Sequence, residues 1–136
     1  MVELAPSFIT GGKRRIVIPF TSAIPASVGL TLLSSRISFP YRIVEVEIIF
    51  RNDAANLVNV WVLTSPNTST SITTPPPDTN VFSPFSPSAF FIGEGLVKHL
   101  NLNYQPPEGD DIIKVHAQNV CTWPQTVNVT VTIEEA

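Results

Sequence analysis

Charge is what this chain has least of. Lysine, arginine, aspartate and glutamate make up 14% of its 136 residues, where an ordinary soluble domain carries about 25%. Net charge is only −3 and mean hydropathy is +0.22. A lone monomer of this composition would hold much apolar or uncharged surface against water. The simplest remedy is that other subunits cover part of it, so an oligomer is expected. Cysteine is nearly absent too. The single Cys121 cannot form an internal bridge, and beside Trp123 and Pro124 it reads as a small apolar filler. A chain of this length buries roughly two-thirds of its unfolded surface, so it needs neither disulfide nor metal to fold.

Other absences narrow the function. No apolar run is long enough to span a bilayer. The opening MVELAPSFITGG puts Glu3 where a secretory signal carries positive charge, so no signal peptide is read and folding in a cytosol is expected. There is no Gly-rich phosphate loop, no H-E-x-x-H, no G-x-S-x-G and no paired C-x-x-C. Of the two histidines, His116 shares a face with Lys114 and Gln118, read as the wet face of the last hairpin. His99 sits beside Lys98 and Asn101. As neighbours across two strands they could touch one metal, but two ligands do not make a site. The acidic turn Glu108-Gly109-Asp110-Asp111 lacks the alternating donors of a calcium loop. Lys13-Arg14-Arg15 supplies too few charges for nucleic-acid affinity at physiological salt and reads as a solvated strand start. The sequons at Asn67 and Asn128 carry no meaning without a secretory signal. No catalytic residue, cofactor or metal ligand is assigned, and an enzyme is not expected.

What is present is β-strand. Ile43 to Thr64 reads IVEVEIIF, then RNDAAN, then LVNVWVLT. In the first run Val44, Val46, Ile48 and Phe50 fall on one face, with Glu45, Glu47 and Arg51 on the other. The second run is β-branched and aromatic, so the two read as an antiparallel hairpin. In that second run Leu57, Trp61 and Leu63 share one face, and Val58, Val60 and Val62 the other. Both faces are apolar, the mark of a strand covered on two sides, by a second layer or by a neighbouring subunit. Thr126 to Glu134 has the cleanest alternation, with Val127, Val129, Val131 and Ile133 pointing in. Shorter strands are read at Ile16–Ile18, Gly29–Ser35, Ala89–Ile92, Leu96–Leu102 and Ile112–Gln118, and Thr21–Val28 reads as loop.

Residues 65–88 differ from all of this. They are rich in Ser, Thr and Pro, include Pro75-Pro76-Pro77, and hold one charge, Asp78. Proline removes backbone donors and favours extended geometry, and so long a loop in a small domain usually marks function or disorder. Phe82 and Phe85 in VFSPFSPS indicate a portion lying on something apolar, while NTSTSITT is expected to be mobile or extended. The whole reads as an all-β chain, an eight-stranded antiparallel β-sandwich, with a jelly roll preferred over an Ig-like Greek key because the Cys–Trp–Cys spacing of an immunoglobulin domain is missing. Residues 1–12 form an N-terminal arm and 13–136 a single sandwich domain.

Taken together, the apolar arm, eight short Val/Ile/Thr strands, the long Ser/Thr/Pro insertion and the charge-poor surface resemble the small single jelly-roll structural proteins of bacterial and archaeal viruses: capsid decoration, spike-base or minor capsid proteins. The resemblance implies a homotrimer or homopentamer in a virion assembled in the host cytoplasm, with a capsid shell protein as partner and no membrane or nucleic acid. Phe8, Ile9, Val58, Val60, Val62, Phe82 and Phe85 are the candidate interface residues. The competing reading is a ligand-binding sandwich, a carbohydrate-binding module or receptor-binding tip, with Tyr41, Tyr104 and Trp123 as stacking residues.

Overall fold

A computed structural model describes residues 8–10, 13–52, 54, 55, 57–84 and 89–136, with backbone alone for 8–10 and 13. Nine strands occur among them: β1 (Phe8–Thr10), β2 (Lys13–Ile24), β3 (Gly29–Leu33), β4 (Tyr41–Phe50), β5 (Val58–Ser65), β6 (Thr79–Asn80), β7 (Leu96–Tyr104), β8 (Ile112–Asn119) and β9 (Gln125–Glu135). They build two antiparallel sheets, one ordered β1-β2-β9-β4-β7 and the other β3-β8-β5-β6. From β2 onward nearly every loop carries the chain from one sheet to the other. That order is the jelly roll, eight strands in two interlocked Greek keys, with β1 added beside the start of β2.

The core lies between the sheets and is filled by alternate residues of each strand. Ile16, Ile18 and Phe20 of β2 meet Val58, Val60 and Val62 of β5 and Ile113, Val115 and Ala117 of β8, joined by Val127, Val129, Val131 and Ile133 of β9. Full burial of such side chains contributes about 1.5–3 kcal/mol each. The inward sets expected for β8 and β9 are all in the core.

Four expectations change. First, β4 and β5 are not a hairpin: β4 pairs with β9 and β7, and β5 pairs with β8 and β6. Alternation says which face of a strand is dry, and a lateral partner and a facing partner leave the same pattern. Second, the inward set of β4 starts at Ile43, not Val44, because the register shifts between Ile43 and Glu45. A bulge there inserts one residue and reverses the phase. Third, β2 runs on through Pro19 to Ile24, where a loop was expected. Pro19 lies opposite Thr130 of β9 with no described strand on its other side, since β1 flanks only Lys13–Arg15, and such an edge position is where a strand admits proline. Fourth, Ala89–Ile92 is no strand; Phe91 alone bridges Val60, and the short β6 lies inside the stretch read as insertion.

Candidate functional site

The loop from Pro66 to Asp78 lies across the outer face of the β3-β8-β5-β6 sheet, and β8 holds it there. Lys114 is fully buried. Its Nζ donates to Asp78 Oδ2 at 2.7 Å, to the Ser69 carbonyl at 2.7 Å, to Asn67 Oδ1 at 3.0 Å and reaches Ser69 Oγ at 3.1 Å. The Asp78 side chain is only 5% exposed, and its Oδ1 accepts from Ser65 Oγ at 2.7 Å. One turn of the pleat further on, His116 places Nδ1 2.8 Å from Thr31 Oγ1 and Nε2 3.0 Å from the Thr73 carbonyl. Gly29 N–H donates to the Ile72 carbonyl at 2.7 Å. A Cβ at Gly29 would stand 2.9 Å from the Thr73 oxygen and 3.1 Å from the His116 ring, so only glycine lets the loop come this close.

This overturns two expectations. The NTSTSITT half of the insertion is fastened down rather than free. The face of β8 read as wet is dry, since Ile112, Lys114 and His116 are all buried beneath the loop. Uncharged Ser and Thr satisfy the buried donors without advertising it in the sequence. The readable signal was the pairing of the one charge in the loop, Asp78, with the one formal charge in β8, Lys114.

Burial pushes the His116 imidazole below the usual histidine range, opposed by hydrogen bonds to the Thr73 carbonyl and to Gln118. Below about pH 6.5 an unfolded histidine takes up a proton that the folded one resists. Stability therefore holds above that pH and falls as pH drops through it. Lys114, on the same covered face, adds like charge to any imidazolium that forms. Urea midpoints at pH 7.5 and 5 should show this loss, and His116→Gln should reduce the difference; equal losses in both proteins would remove His116 from the account.

The interface candidates separate. Val58, Val60, Val62 and Phe82 are core residues, each 3% exposed or less. The three valines face the opposite sheet, and Phe82 packs edge-on to Phe91 with centroids 4.7 Å apart. They are not available to a partner. The apolar second face of β5 carries instead Trp61, which stacks against Phe90 and His116. Phe8 and Ile9 lie in β1, whose backbone pairs with Arg15 and Arg14. Phe85, and the side chains of Phe8 and Ile9, lie outside the described residues.

Nor do the stacking candidates form a platform. Tyr41 opens β4 opposite Glu135, is buried, and donates its hydroxyl to the Asp110 carbonyl at 2.6 Å. Tyr104 closes β7 near it. Trp123 precedes β9 at the other end of the sandwich, and eleven residues of β9 separate the two ends, about 30 Å at strand rise. A cleft of about 510 Å³ does lie beside Tyr41, walled by Phe39, Pro40, Pro106, Pro107 and the acidic turn. Two of its carboxylates are engaged: Asp111 grips Arg36 at 2.8 and 2.9 Å, and Asp110 accepts from Thr64 at 2.9 Å. His99 pairs with Glu45 at 3.0 Å on the other sheet, far from His116. Among the described residues no three His, Cys, Asp or Glu side chains come together as metal ligands. Cys121 is buried, as a filler should be.

The exposed apolar side chains are unevenly placed. Eight large ones are exposed among the described residues: Ile49, Leu57, Ile72, Ile92, Leu96, Val97, Val120 and Trp123. All but Ile72 lie at the end of the sandwich formed by the loops after β2, β4 and β8 and before β7. Ile49 faces Val97 in register, and Val120 N–H donates to the Leu57 carbonyl. Asn119, buried and missed in the sequence, orders this end: its Nδ2 reaches the Ile24, Pro25 and Trp123 carbonyls at 2.9–3.3 Å. The opposite end carries Arg14, Arg15, Arg36, Arg42, Glu108, Asp110, Asp111, Glu134 and Glu135.

Neither a protein-family model nor a curated protein matches the chain. Solved structures with a similar course include one from the cyanophage Pam1 capsid asymmetric unit, 12% identical, covering 98% of this chain and 93% of that one at a TM-score of 0.49. Another is the K3 adhesin domain of Lys-gingipain from Porphyromonas gingivalis W83, 14% identical, covering 89% and 72% at 0.47. A third is the decameric BFDV capsid protein, 12% identical, covering 90% and 97% at 0.32. The jelly-roll assignment itself rests on the strand order.

Proposed function

We propose that this protein is a non-enzymatic structural subunit of a virion, self-assembling into a closed homotrimer or homopentamer and contacting a capsid shell protein. The observation that carries the reading is the apolar end. Seven exposed large apolar side chains at one end of the sandwich, with Arg51 and Glu94 among them, against nine charged residues at the other end, are what a subunit presents to a neighbour. The low charge content and the resemblance in architecture support the virion setting. Burial of that end in copies of the same chain would stabilise the particle by removing apolar area from water.

Light scattering behind a sizing column tests this. A discrete trimer or pentamer is expected, and Val97→Lys combined with Leu57→Lys should yield a folded monomer with stability changed by no more than about 0.5 kcal/mol per site, as for exposed positions. A wild-type monomer at all concentrations would overturn the proposal. The ligand-binding alternative keeps one observation in its favour, the cleft beside Tyr41; binding on a glycan array that is lost in a Phe39→Ala variant would move the assignment there.

A further inference from the structure

The cluster that Lys114 gathers under the loop, with the Lys114 and Asp78 side chains buried and Asn67 and Ser69 at its exposed rim, holds more than an ion pair requires. A carboxylate is enough to compensate a buried ammonium, and Asp78 supplies it at 2.7 Å. Lys114 Nζ also lies 3.0 Å from the carboxamide oxygen of Asn67. That same Oδ1 accepts the Ser69 backbone N–H at 3.0 Å and the Ser69 hydroxyl at 2.7 Å. Three donors thus converge on one amide oxygen, which draws electrons from Cγ and matches what stabilises the oxyanion of a tetrahedral adduct. Beside that carbon stands an amine, and on the amine's other side a buried carboxylate whose second oxygen is fixed by Ser65. Lys114 Nζ thus lies within hydrogen-bond reach of the polarised carboxamide on one side and of a proton acceptor on the other, with the oxyanion donors supplied by Ser69.

We propose that Lys114 and Asn67 become joined by an autocatalytic isopeptide bond, with Asp78 as the catalytic proton carrier. The Lys114 ammonium passes a proton to Asp78 Oδ2, 2.7 Å away. Neutral Nζ attacks Asn67 Cγ, and the Nζ–Cγ bond forms as the carbonyl pair moves onto Oδ1, held by the two Ser69 donors. Asp78 delivers its proton to Nδ2 and accepts one from Nζ. The Cγ–Nδ2 bond then breaks, ammonia leaves and carries off the borrowed proton as ammonium, and Asp78 is a carboxylate again. Amine and carboxamide become a secondary amide and ammonia, with no oxidant and no cofactor. The fold supplies the proximity, since β8 and the strand leading into the loop are hydrogen-bonded neighbours. The product would seal the loop to β8 covalently, whatever the protein assembles with.

The measurement is the intact mass of the purified full-length protein under denaturing conditions, followed by peptide mapping. The expected result is a mass about 17 Da below that of the sequence, one ammonia lost, and a branched peptide joining the segment around Asn67 to that around Lys114. Lys114→Arg and Asp78→Asn should each restore the full mass. Wild-type protein at the full sequence mass overturns the proposal, and being a property of the native chain it needs no variant to fold. A loss of about 18 Da with the branch at Asp78 would mean that the carboxylate is the acyl group, which also overturns it. So would a loss of ammonia that persists in Lys114→Arg, since Asn67 would then have closed on its own backbone.

Discussion

Relative to protein in which Lys114 is still a free ammonium, Lys114→Met is expected to cost about 3–5 kcal/mol of folding free energy, the range for removing one partner of a buried ion pair. It should also expose residues 66–78 to proteases. Methionine fills much of the lysine volume, so the loss is electrostatic rather than a cavity. Asp78, 5% exposed, would keep its Ser65 hydrogen bond and lose the one cation that touches it among the described residues. The Ser69 carbonyl and Asn67 Oδ1 would each lose a charged donor. The folded chain can relieve this only by lifting the loop into water, which uncovers His116 and Ile112 and gives up the Gly29 and Thr31 contacts. Urea denaturation measures the first effect and limited proteolysis the second. The double variant Lys114→Met with Asp78→Leu should recover part of the loss, because an apolar pair leaves no buried charge. A single variant within about 1 kcal/mol of wild type, with the loop still resistant, would show that the ion pair does not hold the loop down.

The latch also shows where the sequence was legible. Strand existence and the inward faces of β8 and β9 could be read because alternation is a local property. The eight-strand count and the lack of the immunoglobulin cysteine spacing were enough to prefer the jelly roll, and the observed order agrees. What could not be read was anything set by a non-local partner. The same run, LVNVWVLT, is compatible with a strand facing a neighbouring subunit or facing another sheet of its own chain, and Val58, Val60 and Val62 do the latter. Lys114 and His116 look wet because lysine and histidine usually are, and the loop that covers them lies 36 to 47 residues away. The apolar end was missed for a related reason: Ile49, Leu57, Val97, Val120 and Trp123 are scattered singly along the chain and meet only when the inter-sheet loops converge.

Phe82→Ala, the second large effect, separates a core role from an interface role. Phe82 is fully buried, its ring edge-on to Phe91. Its backbone N–H donates to Asn80 Oδ1 at 2.8 Å, and the preceding Val81 N–H donates to the Val62 carbonyl. Truncation there leaves a cavity that a pinned backbone cannot collapse into, so a loss of about 3–5 kcal/mol is expected. Phe82→Leu, which refills most of the volume, should lose much less, on the order of 1.5 kcal/mol. Neither variant should change the oligomeric state under conditions where it remains folded. Val97→Lys, at a position 57% exposed, should do the reverse, leaving the urea midpoint nearly unchanged while weakening association. Equilibrium denaturation and sedimentation on the same three variants would read both axes. If Phe82→Ala kept near-native stability and lost self-association, the segment from Val81 to Pro84 would have to be turned outward in the assembled protein. The packing against Phe91 would then belong to the isolated subunit alone.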